Sequence, residues 1–330
     1  MTPHPPLKAV PLPLKGKAGR GAFSDTVMFK YSIDNKRYHT LNYHLKTLFS
    51  DRVFKASIDA GFSCPNKASG GCTYCKEGSG EFTFPGSITE QIEKERARIR
   101  KKWGEIKLIA YFQANTNTFA PVSLLKEKYE EALGHPSVVG LSIATRADCL
   151  DEDVLDLLEE INKRTYLTVE LGLQTVNDKT AEAINRGYPF SVFEKSFYEL
   201  KRRGIRTVVH IINGLIGEKR EDMLTTARVL SKMEPDGVKI HLLHILKGTK
   251  CEKEYLEGKI KCLSKDEYID ITVEEIRHFK PECVIERVTG DGKKESMVAP
   301  LWSLDKISVL GGIDKCFADK GAYQGDLYEN

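Results

Sequence analysis

After Arg52 the chain settles into a regular pattern: short runs of apolar, β-branched and aromatic residues alternate with longer charged stretches of helical character. That alternation is the pattern of repeated βα units around a parallel sheet. Strands are predicted over Val53 to Asp59, Ile106 to Phe112, Val138 to Thr145, Tyr166 to Gln174, Arg206 to Asn213 and Gly237 to Ile245. Their near-continuous apolar character fits strands covered on both faces. Helices are predicted over Ile88 to Trp103, Val122 to Leu133, Asp151 to Lys163, Ser191 to Arg203 and Glu218 to Lys232, the first opened by a Ser87/Glu90 capping-box pattern. A further helix, Lys265 to Lys280, precedes a strand over Cys283 to Val288. Six βα units are too few for a closed eight-stranded barrel and suit an open one. The expected fold is α/β, a partial (β/α)6 TIM-like barrel with N-terminal and C-terminal extensions. The expected division is a flexible basic, Pro-rich tail over 1–24, an N-terminal extension over 25–50, the barrel core over 51–250 and a C-terminal extension packed on it over 251–330.

Composition changes this picture at the amino end only. With 330 residues, 41% hydrophobic, and a net charge of +3, the chain has the make-up of a globular protein with a sizeable core. Residues 1–50 hold eight Lys/Arg against two Asp/Glu, whereas the rest carry 42 against 45. Five of the thirteen prolines fall in the first thirteen residues, a composition that cannot order itself. The basic and aromatic segment from Phe29 to Leu45 either contacts RNA or, the better-supported reading, packs on the main domain. No run approaches the roughly 20 apolar residues of a membrane span, and the amino end lacks the apolar core of a signal peptide, so a cytoplasmic protein without a membrane partner is expected.

Eight cysteines are too sparse for a disulfide scaffold, yet Cys64, Cys72 and Cys75 lie within twelve residues. They follow the first predicted strand, at the carboxyl end where parallel sheets gather working groups. Glycine and proline let the loop fold back so that three thiolates converge, and soft thiolates exclude magnesium and calcium. An iron–sulfur cluster, a zinc site and a Cys72/Cys75 redox pair all remain open. Zinc needs a fourth ligand that is missing locally, and a redox pair leaves Cys64 without a role. Cys149, Cys251, Cys262, Cys283 and Cys316 are isolated and read as small buried hydrophobes.

The chain resembles a radical S-adenosylmethionine (SAM) enzyme of the YtqA/YhcC type, related to the radical-SAM half of the Elongator catalytic subunit. The resemblance runs from about Tyr38 to Trp302. It rests on ordered stretches that include Asn42 to Lys46, Gly61 to Asn66, Tyr111 to Thr118, Ala144 to Asp148, Val169 to Thr175, Ile184 to Tyr188, Asn213 to Glu218, Lys239 to His244 and Thr289 to Gly292. The cysteine spacing, C-x7-C-x2-C, departs from the superfamily's commonest C-x3-C-x2-C, and the Elongator subunit's acetyltransferase domain has no counterpart to inherit.

The resemblance implies that Cys64, Cys72 and Cys75 ligate a 4Fe–4S cluster whose open iron binds SAM, with Tyr74 near the adenine. Gln113 and Asn115 hold the place of the superfamily's glycine-rich segment for the SAM amino group; a polar turn is the rival reading. Glu170 and Gln174 alternate with apolar residues on the fourth strand and face one way, toward ribose or substrate, unless they make a buried structural hydrogen bond. Arg146 and Arg186 match the geometry of the SAM carboxylate, although most arginines are surface residues. His210, Asn213 and Gly217 end the fifth strand and its following loop, near the adenine. His241 and His244, three apart, are expected to face opposite ways, so that at most one enters the site. The resemblance further implies a tRNA substrate, modified at the wobble uridine, an electron donor such as flavodoxin or ferredoxin, and a partner methyltransferase. Two other readings stand beside this: radical chemistry on a small molecule or protein, and a non-enzymatic, zinc-stabilised RNA-binding protein.

Overall fold

In a computed structural model of the chain, residues 29–32, 36–76, 83–290 and 292–329 are described. The tail predicted over 1–24 lies outside them, as does Asp291 of the Thr289 to Gly292 stretch.

Six strands, β1 (Val53–Ile58), β2 (Lys107–Phe112), β3 (Val138–Arg146), β4 (Tyr166–Gln174), β5 (Arg206–Asn213) and β6 (Gly237–Leu242), lie side by side in chain order and pair in parallel. The sheet does not stop there: β8 (Val284–Arg287), expected in the C-terminal extension, pairs beside β6 through Gly237↔Val284 and Val238↔Ile285. The result is a curled half-barrel of seven parallel strands. The sixth strand also ends sooner than its apolar run suggests. Leu243 closes the ladder by donating to the Asn213 carbonyl, and Ile245 turns away into a short strand, β7 (Ile245–Leu246), antiparallel to β9 (Met297–Ala299).

Helices connect the strands and cover the convex face: α2 (Ile88–Trp103), α3 (Val122–Leu133), α4 (Glu152–Asn162), α5 (Asp178–Ala183), α6 (Phe190–Arg202) and α7 (Arg220–Met233). The capping box at Ser87 and Glu90 forms as predicted. Outward strand positions such as Phe112, Ile143, Val169, Leu171, Ile211 and Ile240 pack with Ile92, Tyr129, Leu158, Phe193, Phe197 and Leu230 in one buried core. Each such side chain contributes about 1.5–3 kcal/mol on burial. The same alternation turns Lys55, Tyr111, Glu170, His210 and Lys239 toward the concave side, where the site lies.

The segment before β1 packs rather than projects. Helix α1 (Leu41–Phe49), capped by Thr40, touches both edge strands, β1 and β8, and the Ile285 amide donates to the His39 carbonyl. Tyr38 stacks on Phe317 of α10 (Lys306–Asp319), Lys36 pairs with Asp314 at 2.5 Å, and Arg37 donates to the Ala322 carbonyl. Behind them, α8 (Lys250–Leu256) and α9 (Lys265–His278) complete the C-terminal part. No described helix is long and apolar enough to cross a membrane.

Candidate active site

The cysteine loop leaves β1 at Asp59, makes a short 3-10 turn over Pro65–Ser69, and is reversed by Gly70 and Gly71, both at positive φ. Its shape is imposed from outside. The Thr116 amide donates to the Ser63 carbonyl (3.2 Å), the Thr73 amide to the Ile184 carbonyl (3.0 Å), and the Cys251 amide to the Thr73 carbonyl (2.9 Å). The Asn185 side chain donates to the carbonyls of Ser69 (2.9 Å) and Gly71 (2.7 Å), while Asn66 donates to the Asn185 carbonyl (2.7 Å) and to Cys72 Sγ (3.3 Å). Gly187, at φ +87°, lies so close that a Cβ there would sit 2.9 Å from Asn66 Oδ1. The turn after α5 is thus the mould for the cysteines.

Cys64 and Cys72 are half-buried and Cys75 is exposed. Burial, then the neighbouring Cys72 and Cys64, pushes the Cys75 thiol up to about 11. Burial also pushes the Cys72 thiol up, and a cationic centre is what turns such buried thiols into thiolates. Among the described residues, no three His, Cys, Asp or Glu groups converge as one bare ion demands. Three thiols with no fourth protein ligand among the described residues fit a multi-iron cluster with an open iron better than tetrahedral zinc.

The loop forms one side of a cavity of about 620 Å³ at the carboxyl ends of β1 to β6. Tyr74, Gln113, Asn115, Arg146, Glu170, Gln174 and His210 join the three cysteines in its wall. Asn115 (φ 62°) and Gln174 (φ 64°) occupy the left-handed region without being glycine, a strain found mostly where function fixes the backbone. Arg146 is gripped by Asp148 through two bonds (2.9 and 2.7 Å) and lies over the Tyr188 ring. Arg186, Asn213 and Gly217 are not brought to this cavity. Arg186 is fully buried and donates to the carbonyls of Leu173, Thr175 and Tyr188. Asn213 faces α9 and donates to Glu275 (2.8 Å), and Gly217 lies in the turn beyond. His241 and His244 both line the wall, contrary to the alternation rule, because β6 ends at Leu242 and strand geometry no longer governs His244.

The floor joins Glu170 and His210 to residues that the sequence did not single out. Glu170 receives Lys55 (2.6 Å) and Ser142 (2.5 Å) on one oxygen, and His210 (2.7 Å) and Lys239 on the other. Glu286 receives Lys55 (2.7 Å) and Arg206 (2.9 Å). Burial alone would raise both carboxyls. Lys239 and Lys55 instead hold Glu170 well below the usual range, and Lys55 and Arg206 hold Glu286 at about 2. A lysine inside each of two apolar strands, Val-Phe-Lys55 and Gly-Val-Lys239, was the signal available, since a charge in a doubly covered strand must face a polar interior.

Residues 62–230 match the radical SAM superfamily and residues 235–318 the radical SAM C-terminal domain. The chain belongs to the radical SAM superfamily, whose members use a 4Fe–4S cluster and SAM. Within it, the chain is 48% identical over 310 residues to YtqA of Bacillus subtilis, covering 91% of this chain and 96% of that protein. It is 34% identical over 280 residues to YhcC of Escherichia coli, covering 83% and 90%. Among solved structures, the archaeal Methanocaldococcus infernus Elp3 with an N-terminal deletion superposes with a TM-score of 0.65 at 16% identity, over 82% of this chain. This chain spans 64% of that structure's length, and the likeness is one of fold.

Proposed function

We propose that this protein modifies tRNA, remodelling a side chain already installed at carbon 5 of the wobble uridine, such as carboxymethylaminomethyl to aminomethyl. The observation that carries the radical part of the reading is the convergence of Cys64, Cys72 and Cys75 with strand-end polar residues on one cavity. When bound there, the cluster and SAM supply a 5′-deoxyadenosyl radical that abstracts hydrogen. The chain's own residues prepare the place. The three cysteines hold the cluster, Arg146, fixed by Asp148, faces the SAM carboxylate, and Gln113 and Asn115 meet its amino group. Tyr74, Gln174 and His210 border the nucleoside. The half-enclosed wall keeps water from the reacting groups.

The tRNA part rests on the kinship of the YtqA/YhcC type with the Elongator subunit and on the basic amino end. Of the described cations of residues 1–50, Lys30 and Lys46 stand exposed, whereas Lys36 and Arg37 are engaged inside the molecule. That engagement favours a second reading, radical chemistry on a small molecule or protein. A cytoplasmic setting, a flavodoxin- or ferredoxin-type electron donor and a partner methyltransferase complete the proposal. Nucleoside mass spectrometry tests it in cells with the gene, without it, and with the Cys72→Ala form. The wobble nucleoside is expected to change in the latter two. Identical nucleosides in all three, where the precursor is made, would overturn the tRNA reading.

A further inference from the structure

The buried network under the cavity is crowded with cations. Lys55, Lys239 and Arg206 share two carboxylates, Glu170 and Glu286, every carboxylate oxygen already has a donor, and Arg287 stands in the same wall. Burial, with Lys55 beside it, pulls the Lys239 ammonium down to about 8 despite Glu170. His210 and His241 lie in the same wall, and burial pulls both imidazoles down. Asp236, exposed at the foot of β6, is engaged by the Thr207 amide. A surplus charge inside a protein is costly unless something offsets it.

Lys239 is where an offset can arrive. Its side chain is 5% exposed, and its ammonium touches Glu170 and the Tyr111 hydroxyl (3.3 Å), which leaves one N–H of three. It lies in the wall of the cysteine cavity and also in that of a second cavity, about 650 Å³, beside the seam between the edge strands β1 and β8. Tyr111, Gln113 and Arg287 are likewise common to both, so Lys239 stands at their partition. His241, with Nε2 buried and unpartnered, lies one step up the same wall.

We propose that Lys239 seats a carboxylate of the substrate at the inner end of the cysteine cavity, with the His241 imidazole beside it. A carboxylate there offsets the crowded cations and takes the remaining ammonium N–H, a charge-assisted bond in a site screened from water. The inference rests on the proposed reading only in naming the carboxymethylamino group as the form this carboxylate takes. A small-molecule substrate would need the same group.

The test uses the holoprotein with saturating SAM, so that Arg146 is occupied, and saturation-transfer NMR with two probes of equal shape, N-acetylglycinate and its neutral amide, N-acetylglycinamide. The expected result is a signal for the acid at least about threefold that of the amide, lost in Lys239→Gln and largely kept in Lys239→Arg. Lys239→Gln leaves Lys55, Ser142 and His210 on Glu170, and its melting temperature should stay within a few degrees of the parent. Equal signals from acid and amide in the native protein overturn the seat, whatever the variants do. An acid signal undiminished in a folded Lys239→Gln does so too. A seat that passes alongside unchanged wobble nucleosides removes tRNA alone, and altered nucleosides with equal probe signals remove the seat alone.

Discussion

Glu170 and Gly187 each hold a part of the site that no chemistry-bearing residue holds for itself. Glu170 binds two lysines and a histidine with its two oxygens. Glu170→Ala strands Lys239 and leaves Lys55 with Glu286 alone, and is expected to cost about 3–5 kcal/mol in denaturant unfolding, as removal of one partner from a buried ion pair does. Glu170→Gln, which keeps the shape and one acceptor, should cost less. A loss under about 1 kcal/mol for the alanine form would mean that the lysines find other partners. Gly187→Ala forces a side chain into the left-handed region and against Asn66. It is expected to halve the iron bound after anaerobic reconstitution, or worse, while the circular dichroism spectrum stays native. The cysteines were legible from their spacing, but the mould around them was not: Asn66, Asn185 and Gly187 are ordinary polar and turn residues until the fold sets residue 66 beside residue 187.

At the scale of elements, the strands could be read because each is a short apolar run bounded by charge, and β4 and β5 fall on their predicted limits. What could not be read is where a run stops serving one sheet. Ile245 continues the apolar pattern of β6 but pairs with β9, some 50 residues on, and that partner decides it. Helices α1, α5, α8 and α10 were not predicted, α5 and α8 because six and seven residues are too few to show a helical period. The contact between β5 and α9 gives a pH dependence. Burial pushes the Glu275 carboxyl up to about 8 against the bond from Asn213, and Glu275 Oε1 has no partner. A carboxyl with a raised native pKa holds its proton longer when folded, so stability from this group falls as pH rises from about 4.5 to 8. Glu275→Gln removes that fall. The variant should gain on the native protein across this window, by on the order of 4 kcal/mol at its upper end, in unfolding curves at matched pH. A difference constant with pH would contradict the assignment.

On the scale of the whole molecule, the two ends of the described chain meet across the barrel seam. Gln324 is fully buried, donates to the carbonyls of Lys280 (2.8 Å) and Cys283 (2.7 Å), and accepts from the His39 amide (2.8 Å). Gln324→Ala leaves these backbone groups unpaired, and a loss of about 2–4 kcal/mol by thermal or denaturant unfolding is expected. The basic and aromatic segment was open to two roles from sequence; its partners include Tyr166 and residues between 282 and 324, too distant along the chain for any local pattern to announce. The half-barrel, the moulded loop and the cavity above a charged floor all bear on a single claim, that Cys64, Cys72 and Cys75 hold a cluster which turns SAM toward radical chemistry. Iron, acid-labile sulfide and 5′-deoxyadenosine, measured on the anaerobically reconstituted and reduced chain beside its Cys64→Ala/Cys72→Ala/Cys75→Ala variant, test it most directly. About four iron, four sulfide and SAM cleavage are expected of the native chain, and none of the three from the variant. A variant that kept its full iron and sulfide, or a native chain whose verified reduced cluster, with SAM and substrate bound, yielded no 5′-deoxyadenosine, would contradict it.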